Sequence, residues 1–233
     1  KTGKFKWYMK DPGNPCSINS NNIKSIVRES SGNLWIAAYR GGVIYFDIPS
    51  SCFTELSRIS ESATSLQSNN IYSLVLDDYE NLWIASDRGI DLYHKHENIV
   101  EHVNTIDEVL YLYKDQHNRI WAGVEDAGLF QYDKRKHTFV QKYDQYINFC
   151  VRTIHLDQND NIWVGGNNGL SFFGIQDSTF INYSQADGLP TNLIMGILAI
   201  GIELDRLFQR SYGFLPLHHP DIQYQQGSLC ELF

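Results

Sequence analysis

An all-β fold is predicted by three observations: a repeat centred on tryptophan, short β-rich runs punctuated by turn residues, and no stretch of helical length with a 3.6-residue period. Four segments align: Gly32-Asn33-Leu34-Trp35-Ile36, Glu80-Asn81-Leu82-Trp83-Ile84, Asn118-Arg119-Ile120-Trp121-Ala122 and Asp160-Asn161-Ile162-Trp163-Val164. The intervals between these tryptophans are 48, 38 and 42 residues. Each is preceded by another apolar run, such as Ile71-Tyr72-Ser73-Leu74-Val75-Leu76. Each is followed two positions on by a small residue (Ala37, Ala85, Gly123, Gly165) and then by a strand led by Gly42, Gly89, Gly128 or Gly169. Phe53, Phe139 and Phe180 mark a last strand in three of the copies. Four short antiparallel strands in a unit of about 40 residues is the sequence form of a β-propeller blade.

The chain then divides in order. Residues 1–20 hold the last strand of a preceding blade (Phe5, Trp7, Tyr8) and a linker; blades occupy 21–56, 69–97 with a linker before it, 106–142 and 147–184; a further blade starts at 187–198. Four intact four-stranded antiparallel blades and a partial fifth make an incomplete ring with exposed apolar end faces. The tail, 199–233, breaks the pattern. It is either divergent, with a helix over 193–210, or frame-shifted, since codons for Glu203-Leu204-Asp205-Arg206 can spell Asn-Trp-Ile one base later, in step with the repeat. On the shift reading His218 and His219 are neither metal ligands nor catalytic.

The tryptophan column has two readings, sugar stacking or packing. A large residue held between apolar neighbours in every copy, opposite a small one, fills the wedge between twisted sheets, so packing is expected. The acidic turns Asp77-Asp78-Tyr79-Glu80-Asn81 and Asp157-Gln158-Asn159-Asp160-Asn161 have some likeness to a calcium loop. They lack its sixth-position glycine and distal glutamate, and Asp and Asn are ordinary hairpin residues.

The net charge of −8 disfavours a nucleic-acid partner. No apolar run reaches the roughly 18 residues of a membrane span; Leu193 to Ile202 is too short. The N-terminus, Lys1-Thr2-Gly3-Lys4-Phe5, reads as an internal cut and is silent on export. Cys16, Cys52, Cys150 and Cys230 lack metal-ligand spacing and do not recur in the repeat. They are expected as isolated, mostly buried thiols, with a disulfide or metal as the alternative.

The pattern Ile-x-x-Ile, acidic turn, Gly-Asn-Leu-Trp-Ile, Gly-Gly and aromatic strand, best seen from Ile23 through Asp47 with Gly41-Gly42, resembles the two-component regulator propeller repeat. Asp187-Gly188-Leu189-Pro190-Thr191-Asn192 resembles the linker into a next blade in that family, and the tryptophan-aspartate ends of WD40 blades are missing. The resemblance covers residues 1 to about 198. It implies a periplasmic sensor segment of a larger, often hybrid, histidine kinase that binds a glycan fragment or similar ligand, with kinase and DNA-binding parts elsewhere. It also implies further blades and sensor domains of the same parent chain as partners, with a homodimer possible, and no direct membrane contact.

Comparison of the copies with one another locates candidate binding residues. Nine residues before each tryptophan the column is apolar (Ile26, Leu74, Leu112, Ile154); eleven before, it varies (Lys24, Tyr72, Leu110, Arg152). The loop after the tryptophan strand varies too: Tyr39-Arg40, Asp87-Arg88, Glu125-Asp126, Asn167-Asn168. Both sets are expected near one mouth of the channel. Tyr39, Arg40, Tyr72, Asp87, Arg88, Glu125, Asp126, Arg152, Asn167 and Asn168 therefore form the candidate set for a polar small molecule or oligosaccharide, held by directional hydrogen bonds and stacking. The alternative is an ordinary solvated loop set. No catalytic residue, metal site or cofactor is assigned: there is no nucleophile elbow, histidine cluster or repeated carboxylate pair. A protein-docking propeller is the second reading, and a propeller lyase or glycosidase the third.

Overall fold

The computed structural model describes residues 5–56, 65–103 and 108–197. They form four antiparallel sheets, each of four strands in sequence order. Blade 1 holds β1 (Ile23–Arg28), β2 (Leu34–Ala38), β3 (Gly42–Asp47) and β4 (Cys52–Leu56). Blade 2 holds β5 (Ile71–Leu76), β6 (Leu82–Ser86), β7 (Gly89–His94) and β8 (Ile99–Val103). Blade 3 holds β9 (Val109–Lys114), β10 (Ile120–Val124), β11 (Gly128–Asp133) and β12 (Thr138–Lys142). Blade 4 holds β13 (Val151–Leu156), β14 (Ile162–Gly166), β15 (Gly169–Phe173) and β16 (Phe180–Tyr183). The inner strands adjoin in the order β1, β5, β9, β13, so the blades make an open arc.

The turn before each tryptophan shows why its acid recurs. Asp77 Oδ1 accepts from the backbone N–H groups of Tyr79 and Asn81; Asp115 does the same for His117 and Arg119, and Asp157 for Asn159 and Asn161. The hairpin closes through a left-handed residue at Gly32, Glu80, Asn118 or Asp160. These carboxylates thus satisfy backbone donors of the β-hairpin.

Packing between blades follows one rule. Trp35, Trp83 and Trp121 are buried against the next blade, in clusters with Leu74 and Ile84, Leu112 and Ala122, and Ile154 and Val164. The small residue two positions on is required by the neighbour: a Cβ on Gly123 would lie 2.5 Å from the Val151 carbonyl, and one on Gly165 2.5 Å from Ile194. Trp163 has no fifth sheet beside it among the described residues, but Leu189 and Ile194 cover it. There the Ile194 N–H donates to the Gly166 carbonyl at 2.8 Å and the Gly169 N–H to that of Asn192 at 2.7 Å. At the other end of the arc Ile26 stands 57% exposed, whereas Leu74, Leu112 and Ile154 in the same column are 2% exposed beneath a preceding blade.

Two expectations change. Cys16 and Cys52 are joined in a disulfide that ties the leading segment to the outermost strand of blade 1, so they are not isolated thiols. Cys150 is a free, buried thiol, and Cys230 lies outside the described residues. Among its described residues, 5–20, the leading segment carries no strand: Phe5 and Trp7 are exposed, and Tyr8 lies edge-on to Phe46 and Phe53 of blade 1 at 5.1 and 5.3 Å. The broken repeat after residue 198, with His218 and His219, also falls outside the described residues.

Candidate ligand-binding surface

Every inner strand begins with an irregularity in its ladder. Ile23 pairs with Ala38 and Ser25 with Ala37; Ile71 with Ser86 and Ser73 with Ala85; Val151 with Gly166 and Thr153 with Gly165. Tyr111 and Val109 face Gly123 and Val124 in the same way. The residue left over in each blade is Lys24, Tyr72, Leu110 or Arg152, the variable column of the sequence. A bulged residue escapes the pairing that fixes its neighbours, and its side chain is re-aimed.

The hairpin loops after the tryptophan strands come in two lengths. Blades 1 and 3 have three residues (Tyr39-Arg40-Gly41 and Glu125-Asp126-Ala127), with Arg40 and Asp126 left-handed at φ 59° and 50°. Blades 2 and 4 have two, Asp87-Arg88 and Asn167-Asn168. Bulges and loops meet on one face. The rings of Tyr39 and Tyr72 stack across the first junction, with centroids 6.2 Å apart and planes at 25°. The Tyr72 hydroxyl donates to Glu108 Oε1 at 2.9 Å, crossing the second junction. Burial, reinforced by that carboxylate, pushes the Tyr72 hydroxyl far up, so it stays a donor. The Glu125 N–H donates to the Glu108 carbonyl, and Arg152 reaches back across the third junction to Glu125 Oε2 at 3.5 Å. The Cys150 thiol donates to the same oxygen at 2.9 Å. Burial and Glu125 raise that thiol to about 12, which makes it a neutral hydrogen-bond donor and not a nucleophile.

Of the expected set, Tyr39, Arg40, Tyr72, Glu125 and Arg152 are brought into this line. Asp87 is occupied on one side by the Asn70 amide, 2.6 Å from Oδ2. Arg88, Asp126, Asn167 and Asn168 are exposed at the loop tips. Two buried atoms in the set, Asp87 Oδ1 and Arg152 Nε, have no hydrogen-bond partner in the protein. Glu108 was not anticipated. It stands thirteen residues before Trp121, in a column that reads Asn22, Asn70, Glu108, Cys150, whose mixed chemistry hides its common position. A shallow depression on the outer strands of blade 3, lined by Gln131, Tyr132, Asp133, Arg135 and Lys142, is remote from the line and shares none of its residues.

The model of the family described as two component regulator propeller matches residues 17–40 and 65–88, the linker, inner strand and tryptophan hairpin of blades 1 and 2. Those two segments match the two-component regulator propeller repeat, as the sequence pattern from Ile23 through Asp47 led one to expect. No curated protein matches the chain. Among solved structures it is similar to the extracellular domain of the hybrid two component system BT3049 of B. thetaiotaomicron, at 19% identity and TM-score 0.64, covering 75% of this chain and 25% of that one. The extracellular domain of BT4673 from the same organism matches at 19% identity and TM-score 0.64, covering 77% and 25%. Virginiamycin B lyase from Staphylococcus aureus matches at 12% identity and TM-score 0.56, covering 70% and 56%. This chain thus spans about a quarter of the regulator domains it resembles, and at these identities what is shared is the fold, in one case with an enzyme.

Proposed function

We propose that the regulator propeller repeats of this chain form part of a ligand-sensing surface of a two-component sensor, and that the ligand is a polar, hydroxyl-rich small molecule such as an oligosaccharide. The observation that carries the reading is the line of bulge residues. The repeat fixes the tryptophan, the acidic turn and the small residues, yet at the bulge it places Lys24, Tyr72, Leu110 and Arg152, each free of a ladder partner. Tyr39 and Tyr72 offer a stacked aromatic pair, Glu108 and Glu125 offer acceptors, and Asp87 Oδ1 and Arg152 Nε are buried valences that a ligand hydroxyl or water would complete. Within this reading the segment has no catalysis of its own. The Cys16–Cys52 bridge supports an oxidising, periplasmic setting, and no helix among the described residues is long and apolar enough to cross a membrane. The partners are the remaining blades and sensor domains of the parent chain, with a homodimer possible.

The test is calorimetric titration of the full chain with neutral and charged oligosaccharides, beside a turnover assay on the same sugars. Tyr72→Phe and Arg152→Gln are expected to weaken binding several-fold with little change in melting temperature. Product formation dependent on Glu125 or Asp126 would replace this reading with an enzyme. Proteins captured in the absence of any small ligand would favour a docking scaffold.

A further inference from the structure

Charge is unevenly distributed along the mouth of the arc, with Asp87 beside Tyr72 and Arg152 beyond Glu125. Glu108 and Glu125, in blade 3, are each engaged by a donor. At the first junction two cations approach one ring. Lys24, the bulge residue of β1, puts its Nζ 5.6 Å from the centre of the Tyr39 ring. Arg40, at the tip of the following hairpin, puts its Cζ 5.5 Å from the same centre. Both are exposed, and neither is among the cations paired with a carboxylate in the described structure. Two like charges converge on one ring from different elements, and Arg40 is held there in a left-handed conformation that side chains rarely adopt. The ring attracts each cation modestly and neutralises neither charge. A bound anion would.

Resting on the sensor reading above, we propose that Lys24 and Arg40 form an anion subsite at the blade 1 end of the mouth, and that the ligand is an acidic oligosaccharide. Its carboxylate or sulfate lies between the two cations, one sugar ring rests on the Tyr39–Tyr72 platform, and further hydroxyls extend toward Glu108 and Glu125. The chain's negative net charge does not oppose this. At physiological ionic strength charges more than about 8 Å away are largely screened, so the anion responds to the two cations beside it. The blade 3 carboxylates Glu108 and Glu125 disfavour an anion beside them and so set the ligand's direction.

The experiment titrates the full chain with four probes: trigalacturonate, its methyl ester, cellotriose and cellotriose 6-sulfate. One of the two charged probes is expected to bind at least ten-fold more tightly than its neutral counterpart, and which one does separates a carboxylate from a sulfate subsite. That preference should shrink at least five-fold between 50 and 500 mM NaCl. It should disappear in a Lys24→Gln/Arg40→Gln variant that retains its melting temperature, while Tyr39→Ala should weaken charged and neutral sugars alike. Equal affinity for charged and neutral forms, or full charge preference in the double variant, overturns the anion subsite and leaves the sensor reading standing. Absence of binding by all four probes overturns the subsite, and the sensor reading then rests on the wider sugar titration.

Discussion

Lys95→Met is expected to destabilise the protein by about 3 kcal/mol at neutral pH, because it breaks a buried ion pair from one side. Glu29, on the turn before Trp35, has a side chain only 1% exposed, and Lys95, from the hairpin after β7, reaches its Oε2 at 2.5 Å. Ser31, Tyr45 (2.8 Å) and Trp35 Nε1 (3.2 Å) also donate to that carboxylate. Burial by itself would raise the Glu29 carboxyl, but the bonds from Lys95, Ser31 and Tyr45 outweigh it and hold it at about 2, against an ordinary 4.5. A depression of that size corresponds to roughly 3 kcal/mol shared among these donors; Lys95 is the only charged one, and removing one partner of a buried pair costs about 3 kcal/mol or more because the carboxylate is left buried with neutral donors alone. The pH window follows. The carboxyl is depressed in the folded state, so its contribution is complete above the unfolded value of 4.5 and is lost as pH falls from there through 2. Methionine keeps the length of lysine and removes the charge. Urea midpoints read by tryptophan fluorescence at pH 7, 5 and 3 should show the variant well below the parent at pH 7, with the gap narrowing at pH 3. Other carboxylates titrate in the same range, and the parent-minus-variant difference removes most of their share. A loss under about 0.5 kcal/mol at pH 7, or a gap that does not narrow in acid, would refute the clasp.

Three further outcomes are expected. Replacing Cys16 and Cys52 by serine should cost up to about 4 kcal/mol for a loop of this length, 36 residues, and intact mass should show the parent two hydrogens lighter than its reduced form. Gly166→Ala should abolish cooperative melting or lower it severely, because its Cβ would fall 1.7 Å from the Cys150 carbonyl oxygen, a backbone atom that no rotamer relieves; a melting temperature within a few degrees of the parent would contradict the close approach. Leu112→Ala should cost roughly 2–4 kcal/mol and Ile26→Ala under about 1, since the same column is buried in blade 3 and exposed in blade 1; equal urea shifts in the 233-residue chain would mean that the blade 1 face is covered.

The fold was legible because a propeller asks the same thing of every copy. Trp35, Trp83, Trp121 and Trp163 sit at one position in four blades, and the residue two further on must be small wherever the next inner strand approaches. Periodic demands leave periodic residues. The Cys16–Cys52 bridge was not legible because it belongs to no repeat: one cysteine lies in the leading segment and the other on an outermost strand, and only the folded chain brings them together. The leading aromatics misled for a related reason. Phe5, Trp7 and Tyr8 have strand composition, but with no ladder partner among the described residues Tyr8 packs on the side of blade 1 instead.

The site was half legible, and the two ends of a blade explain which half. At the turn end the acid six residues before each tryptophan (Glu29, Asp77, Asp115, Asp157) is spent on backbone amides or the indole N–H, so it recurs and has little freedom. The junctions there are nevertheless individual: the Ser30 N–H meets Glu80, Lys114 meets Asp78, and Arg119 and His117 meet Asp160. A blade shifted by one place would lose these partners, so the polar pairs specify blade order where the apolar faces are interchangeable. At the mouth end the bulge releases one residue per blade from the ladder. There variation is tolerated, and comparing copies picked out Tyr72 and Arg152. Glu108 escaped because its column mixes asparagine, glutamate and cysteine, which share a position and no chemistry. The same contrast separates the two ends: uniform acids and specific pairs hold the arc together at the turns, and non-uniform bulge residues leave the mouth free to differ from blade to blade, which is the freedom the proposed ligand-sensing surface would need.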